Sequence, residues 1–395
     1  NPHTRLMHIG VQGYDIVPEA RPRANLVFLI DVSGSMGSED KLPLALQGLR
    51  MMLGELGPDD TVAIAVYAGA AGVVLEPTPV SERGRIEAAL ETLSAGGSTA
   101  GGEGLRLAYA LAERNFDEDA VNRVILVTDG DFNVGVTGDE RLEDFVARKR
   151  DTGVYLSVMG FGLGNYNDAL MQTIAQAGNG VAGYVDSLSE ARRLLVEEAS
   201  STLFPIANDV KIQVEFNPAR VAEYRLIGYE TRALERADFN NDAVDAGEIG
   251  SGHSVTAIYE IAAPDSPGRL LEPLRYQEVA DAGPGAGELA FLRMRYKRPG
   301  EADSRLIQTP VTDANLRPFA QAPDDVRFSI AAAAYAQLLR GDAYLADFTF
   351  ADAADIAQSA RGADPFGRRA EFVQLLALAE SAADQERLRR PGQWD

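Results

Sequence analysis

The sequence predicts an α/β fold, a doubly wound and mostly parallel sheet, joined to a β-rich, sandwich-like domain and a C-terminal helical segment. Three observations predict it. First, an apolar run, Leu26 to Ile30, stops at Asp31 and gives way to a short polar loop bearing Gly34. Such a run, rich in β-branched and large aliphatic residues, is a buried parallel strand. Second, from Asn25 to Phe204 strand-like runs alternate with segments of helical period. That alternation belongs to a parallel sheet covered on both faces. Third, after Pro205 the chain turns to strand-like runs separated by proline and glycine clusters, and from Asp324 to helical spacing.

Length and composition set the outer limits. A chain of 395 residues predicts two or three domains. With 46% hydrophobic residues it can fill ordinary cores. No apolar run approaches the roughly 18 residues that a membrane-spanning helix needs. The chain opens on Asn1, with no visible signal peptide; any export or lipid-anchor signal is expected upstream, in a missing N-terminal region. There are no cysteines, which excludes disulfides, thiolate zinc sites and cysteine nucleophiles. Three histidines, His3, His8 and His253, argue against a histidine-rich metal centre. The formal net charge of −22 argues against nucleic acid and against unaided binding to anionic lipid.

The elements follow in order. Arg5–Ile16 reads as a short strand of a sheet other than the central one, set apart by Pro18 and Pro22. After the Asn25 strand, Leu42, Ala45, Leu46, Leu49, Met52, Leu53 and Leu56 recur at helical spacing, with Pro43 in the first turn and Gly57-Pro58 as the stop. Thr61–Tyr67 is a strand, Val73–Leu75 an antiparallel edge hairpin and Glu82–Leu93 a helix. The glycine loop Gly96–Gly102 opens a helix that runs through Arg114, with Leu105, Ala108 and Ala112 inward. Val121–Thr128 is a strand, Leu142, Phe145 and Val146 mark a helix, Val154–Met159 is a strand, Ala169–Ala177 a helix and Val181–Val185 a strand. Leu188–Leu203 is expected as the last helix of this unit, with Leu188, Ala191, Leu195 and Ala199 on one face. Val210–Phe216, Tyr224–Tyr229, Ser254–Ala262 and Leu289–Tyr296 are strand-like. Three helices close the chain: one carrying Val326, Ile330, Ala333, Ala334 and Leu338 and stopped by Gly341, a second over Ala353–Ala360, and a third over Phe366–Ala379. The expected domains are an N-terminal β segment over 1–23 that adds to the β-rich domain, an α/β domain over 24–204, a β-rich domain over 205–317 and a helical region over 318–395.

The chemistry-bearing residues sit where two of these strands end. Asp31, Ser33 and Ser35 place one carboxylate and two hydroxyls on a tight loop after the first strand of the α/β unit. Asp129 ends the strand Val121–Thr128, and Thr99 lies in the glycine loop between them. In a doubly wound sheet, ligands bind at the carboxyl ends of strands where the strand order reverses. Sequence-distant oxygen groups can therefore converge there, and hard divalent cations prefer oxygen ligands.

A D-x-S-x-S loop, a distant Thr and a distant Asp, in that order, resemble the metal-ion-dependent adhesion site (MIDAS) of von Willebrand factor type A domains. Later stretches sharpen the resemblance: Asp129-Gly130-Asp131-Phe132-Asn133-Val134-Gly135, Leu226-Ile227-Gly228-Tyr229-Glu230, Asp245–His253 and Arg361–Gly367 are similar to a bacterial, YfbK-like family. In that family a type A domain precedes a C-terminal region of unknown function. The resemblance implies a divalent ion, Mg²⁺ by preference and Mn²⁺ or Ca²⁺ as alternatives, at Asp31, Ser33, Ser35, Thr99 and Asp129. It implies that the two serines bind directly, Thr99 directly or through water, and the carboxylates mainly through water. Asp131 is a rim candidate. An ion so held keeps positive character and an open position, which an Asp or Glu of a protein partner can complete. The family resemblance also implies a cell-envelope location, periplasmic or at the surface. It further suggests coupling of the site to the β-rich domain through the last helix and Phe204-Pro205.

Two alternatives keep the same fold. The ion is structural, held by a carboxylate of the same chain or a second copy, or it serves a metal-assisted hydrolase. The hydrolase needs a base, and Asp131 and Glu103 are the nearby candidates. The expectation is a binding module and not an enzyme. Asp238-Phe239-Asn240-Asn241-Asp242 has the alternating oxygens of a calcium loop, but Ala243 stands where that loop wants Gly and no Glu follows at its twelfth position, so it reads as a polar turn. The glycines around Thr99 lack the Lys of a phosphate loop and read as close backbone approach to the metal loop.

Overall fold

The computed structural model describes residues 2–16, 21–98, 101–130, 139–162, 167–197, 203–229, 236–242, 246–272 and 287–389. Its central sheet is doubly wound. Its strands are β2 (Arg23–Asp31), β3 (Thr61–Tyr67), β4 (Ala71–Pro79), β5 (Ala120–Thr128), β6 (Val154–Phe161) and β7 (Ala182–Val185). They lie in the order β4-β3-β2-β5-β6-β7, all parallel except β4, which runs antiparallel to β3 at one edge.

Strand β2 is buried on both faces, and its side chains alternate between them. Leu26, Phe28 and Ile30 enter one core with helices α1 (Leu42–Met52) and α2 (Arg83–Glu91). Val27 and Leu29 enter the other with α3 (Gly101–Arg114), α4 (Asp139–Arg150) and α5 (Asp168–Ala177). All five β2 residues are 0% exposed, and each burial of this kind stabilises by about 1.5–3 kcal/mol. Helix α1 ends at Met52 rather than running to Leu56; Leu53 and Leu56 are still buried, from the turn that follows.

The last helix of this unit departs from the expectation. Helix α6 covers only Leu188–Arg192, and a π-helical turn, Arg193–Glu197, replaces its continuation. Leu188 is 46% exposed, whereas Ala191, Leu194 and Leu195 are buried. Leu188 is the first helical residue after the Ser187 cap and lies beyond the edge of the core. Ala191, Leu194 and Leu195, at positions i, i+3 and i+4, form the buried face, and Leu188 falls outside it. Ala199 lies outside the described residues.

Two antiparallel sheets make up the β-rich part. Strand β1 (Arg5–Gln12) pairs with β11 (Ser254–Ala262), which pairs with β9 (Glu223–Ile227). The second sheet has the order β10-β8-β12-β13, built from β10 (Gly247–Gly250), β8 (Pro205–Phe216), β12 (Glu288–Lys297) and β13 (Arg305–Thr312). Met7, Ile9, Ala257 and Tyr259 of the first sheet share a core with Val214, Phe216, Ala290 and Leu292 of the second. Helices α7 (Asp324–Arg340), α8 (Phe350–Ser359) and α9 (Arg368–Arg389) follow. Their contact is small and aromatic: Ala331, Ala353, Ala357 and Leu376 are buried, and the Phe328 and Phe372 rings meet at 5.3 Å. Gly341 ends α7 in the left-handed conformation, at φ 69°. His8 to Ser329, at 3.1 Å, and Arg225 to Gln337, at 2.8 Å, tie these helices to the β1-β11-β9 sheet. Among the described residues no helix is long and apolar enough to cross a membrane.

One packing contact links the core directly to the strand ends. Gly104 of α3 faces Tyr67, where an added Cβ would lie 2.8 Å from the tyrosine Cβ. Tyr67 is fully buried and pairs with Asp31 in the β2–β3 register. Gly104→Val should therefore force α3 away from β3 and cost about 1–3 kcal/mol, the usual range for overpacking. Chemical denaturation reads the change; an unaltered midpoint would show that this approach is not tight.

Candidate functional site

Strand order places the site. The chain goes from β2 outward to β3, then returns to place β5 on the other side of β2, so the switch point lies between β2 and β5. Ile30 pairs with Val127, which puts Asp31 and Asp129 at the carboxyl ends of neighbouring strands.

The Asp31 loop is built by local hydrogen bonds. The Ser33 amide donates to Asp31 Oδ1 at 2.8 Å, and the Ser33 and Ser35 hydroxyls meet at 3.0 Å. A single 3₁₀ turn, Gly34–Gly37, follows, and Met36 anchors it by burying fully in the core. Two backbone bonds press the glycine loop onto this turn, from Gly96 N to Val32 O at 2.7 Å and from Gly34 N to Gly97 O at 3.0 Å. The glycines therefore serve close backbone approach. They bring the segment leading to Thr99 against the Asp31 loop. Thr99 and Asp131 themselves lie outside the described residues.

Burial grades across the site. Asp31, Ser33 and Asp129 are 0%, 1% and 2% exposed, whereas Ser35 is exposed. The site is thus a recess with the Ser35 hydroxyl at its rim. Asp31 Oδ2 is buried without a hydrogen-bond partner of good geometry. Burial pushes the Asp31 carboxyl above its ordinary range; bonds from Ser33 oppose the shift and the Asp129 charge adds to it, while Tyr67 contributes a small counter-effect. Burial beside Asp31 also raises the Tyr67 hydroxyl well above its usual value. Lys41, which sequence reasoning did not single out, places its Nζ 2.9 Å from Asp129 Oδ2. The signal was present, a lone ammonium ten residues after Asp31 in a loop of hydroxyls and carboxylates, but helical periodicity gives such a residue no weight.

The donor set fits a hard cation. It offers only oxygen, from two hydroxyls and two carboxylates, and includes a buried carboxylate oxygen without a partner of good geometry. Among the described residues no group of three or more His, Asp or Glu is placed to hold an ion, so cation binding here depends on hydroxyls. Ser33 and Ser35, with Asp31 and Asp129, would hold it, and it would supply a positive charge to which an anionic group can bind. Glu103, the described base candidate, is exposed on α3.

The Asp238–Asp242 segment resolves differently. The buried Lys211 ammonium donates to the carbonyls of Asp238 and Asn241, at 3.4 and 2.5 Å. Lys297 donates to the Asp242 carbonyl at 2.6 Å and pairs with Asp209. The loop's oxygens thus face ammonium groups of its own chain, as a structural turn.

Fold and strand order define a von Willebrand factor type A domain, and residues 26–131 match that family. Domains of this class often hold a divalent cation at a MIDAS and commonly bind proteins. Residues 201–382 match a second family, described as the C-terminal part of the uncharacterized protein YfbK. The chain belongs to the YfbK family, a type A domain followed by the YfbK C-terminal domain. It is 43% identical over 388 residues to the Escherichia coli (strain K12) protein YfbK, covering 97% of this chain and 66% of that protein. It is 30% identical over 293 residues to protein sll0103 of Synechocystis, covering 73% of this chain and 64% of that one. The chain therefore spans slightly less than two thirds of the length of these relatives. A solved von Willebrand factor type A structure from Catenulispora acidiphila matches over 94% of this chain and 89% of its own, with a TM-score of 0.50 and 16% identity, and shows the shared fold.

A stability test follows from the buried carboxylate. The folded state holds the Asp31 proton more tightly than the unfolded state, so the stability due to Asp31 is present at acid pH and lost as pH rises through its raised pKa. Asp31→Asn removes that charge and its repulsion by Asp129. In chelator at neutral pH the variant should be more stable by on the order of 1 kcal/mol, or about 2–4 °C in Tm. The advantage should shrink as pH falls toward 4. A variant less stable than the parent at neutral pH would show that Asp31 is held by partners stronger than those described.

Proposed function

We propose that this chain is a metal-dependent protein-binding module of the adhesion or scaffold type, and not an enzyme. A divalent cation, Mg²⁺ by preference, sits at Asp31, Ser33, Ser35 and Asp129, with Thr99 as the fifth candidate ligand and Asp131 as a rim candidate, both outside the described residues. The bound ion accepts an Asp or Glu side chain of a protein partner. The observation that carries this reading is the juxtaposition at the switch point: two carboxylates on neighbouring strand ends, two hydroxyls 3.0 Å apart, and a buried carboxylate oxygen without a partner of good geometry. With the hydroxyls as direct ligands and the carboxylates acting mainly through water, the ion keeps positive character, which favours an anionic sixth ligand. The non-enzyme reading is supported by the absence of histidine from residues 9–252 and by the exposure of Glu103.

Chelator-stripped protein titrated calorimetrically with Mg²⁺, Mn²⁺ and Ca²⁺ should show saturable binding that Asp31→Ala and Ser33→Ala abolish. At about 100 times Kd the metal should stabilise the fold by about 2.7 kcal/mol. The loaded protein should then retain an Asp- or Glu-bearing peptide and release the matching amide peptide. Absence of saturable binding in the parent protein overturns the reading.

We also place the protein in the bacterial cell envelope, periplasmic or at the cell surface, on the family resemblance alone. Cell fractionation beside a cytoplasmic marker tests this, and co-fractionation with that marker would refute it.

A further inference from the structure

We propose that Lys41 is a built-in counter-ion of the site, which holds Asp129 when no divalent cation is present and which that cation must displace. The inference deepens the metal-binding reading and rests on it. Lys41 Nζ lies 2.9 Å from Asp129 Oδ2, with the two side chains 15% and 1% exposed. Among the described residues it is the one lysine that the structure pairs with a carboxylate of the recess.

The stem of Lys41 has a built passage. It crosses Gly162, whose φ of +80° suits glycine, and a Cβ at Gly162 would overlap the lysine Cγ, Cδ and Cε carbons. Any other residue at 162 would therefore push the ammonium from its present position. The wall of the passage is fixed by Tyr184, whose hydroxyl donates to the Gly162 carbonyl at 2.8 Å. The backbone of Lys41 is fixed too, because it precedes α1 and its carbonyl accepts from Ala45 N at 2.8 Å.

Charge explains the arrangement. Asp31 and Asp129 repel each other as buried carboxylates, and one ammonium offsets half of their charge. A dication is the stronger counter-ion, and it repels an ammonium held at the same carboxylate. Metal entry and departure of the Lys41 head are therefore one exchange. The exchange leaves a cationic side chain at the mouth of a site that takes an acidic ligand.

Lys41→Met keeps the stem and removes the charge, and Lys41→Gln serves as a second variant should the first fold poorly. In chelator, Lys41→Met should melt below the parent, because Asp129 loses its counter-ion. With Mg²⁺ the order should reverse, with a Kd for Mg²⁺ at least ten-fold lower than that of the parent by calorimetry. Equal or weaker Mg²⁺ affinity in both variants overturns the exchange while leaving the metal site standing. Failure of parent and variants alike to bind Mg²⁺ overturns the metal site and the exchange with it.

Discussion

The constraint on which the rest of the structure depends is the adjacency of two carboxylates at buried strand ends. Parallel pairing of β2 with β5 fixes it, since the Ile30–Val127 register leaves Asp31 and Asp129 no other place. Two like charges in such a recess are costly unless something offsets them. The surrounding details each serve as an offset: the Ser33 amide on Asp31, the Lys41 ammonium on Asp129, and the paired hydroxyls of Ser33 and Ser35. Arrangements that retain such a conflict are characteristic of functional sites, where the last compensation comes from a ligand.

How legible this was in the sequence depended on burial. Strands β2, β3 and β5 are buried on both faces, and their bounds could be read from apolar runs almost to the residue. Strand β13 could not, because Arg305–Thr312 is an edge strand with most of its side chains exposed and with Pro310 within it. Strand β10 has only four residues, two of them glycine, too few to display a period. The π turn after α6 was invisible in the sequence; there Leu194 lies against Gly183 of β7 and Leu195 against Gly48 of α1. At the site, Asp31, Ser33, Ser35 and Asp129 were legible because an apolar run ending on a carboxylate is conspicuous. Lys41 was not, because a lysine before a helix is ordinary until the fold brings it to Asp129.

The same dependence on packing explains the Asp238–Asp242 segment. Its spacing of side-chain oxygens suggests a cation, but the ammonium groups of Lys211 and Lys297 bond instead to its backbone carbonyls. Both lysines come from strands, β8 and β12, whose pairing brings Lys297 opposite Asn208. Among the described residues, oxygen-rich loops thus occur at two places with an ammonium set against them. They differ in how the ammonium is held. Lys211 is buried against carbonyls that cannot move without breaking the turn, whereas Lys41 reaches a side-chain carboxylate through a passage over glycine.

Connectivity extends the reach of the site. Strand β1 precedes the α/β unit and β8 follows it, yet the two strands share one hydrophobic core through Ile9 and Val214. The α/β unit is therefore inserted into the β-rich part and joined to it at two points. Non-covalent ties reinforce both joins. At the first, Ile16 packs against the α/β core and its amide donates to Ser251 Oγ at 2.8 Å. At the second, Phe204 is buried in that same core while its carbonyl accepts from Ser251 N at 2.9 Å. Ser251 thus grips both crossings. Any coupling between the Asp31 loop and the β-rich part runs past these two crossings, where Ser251 bonds to both.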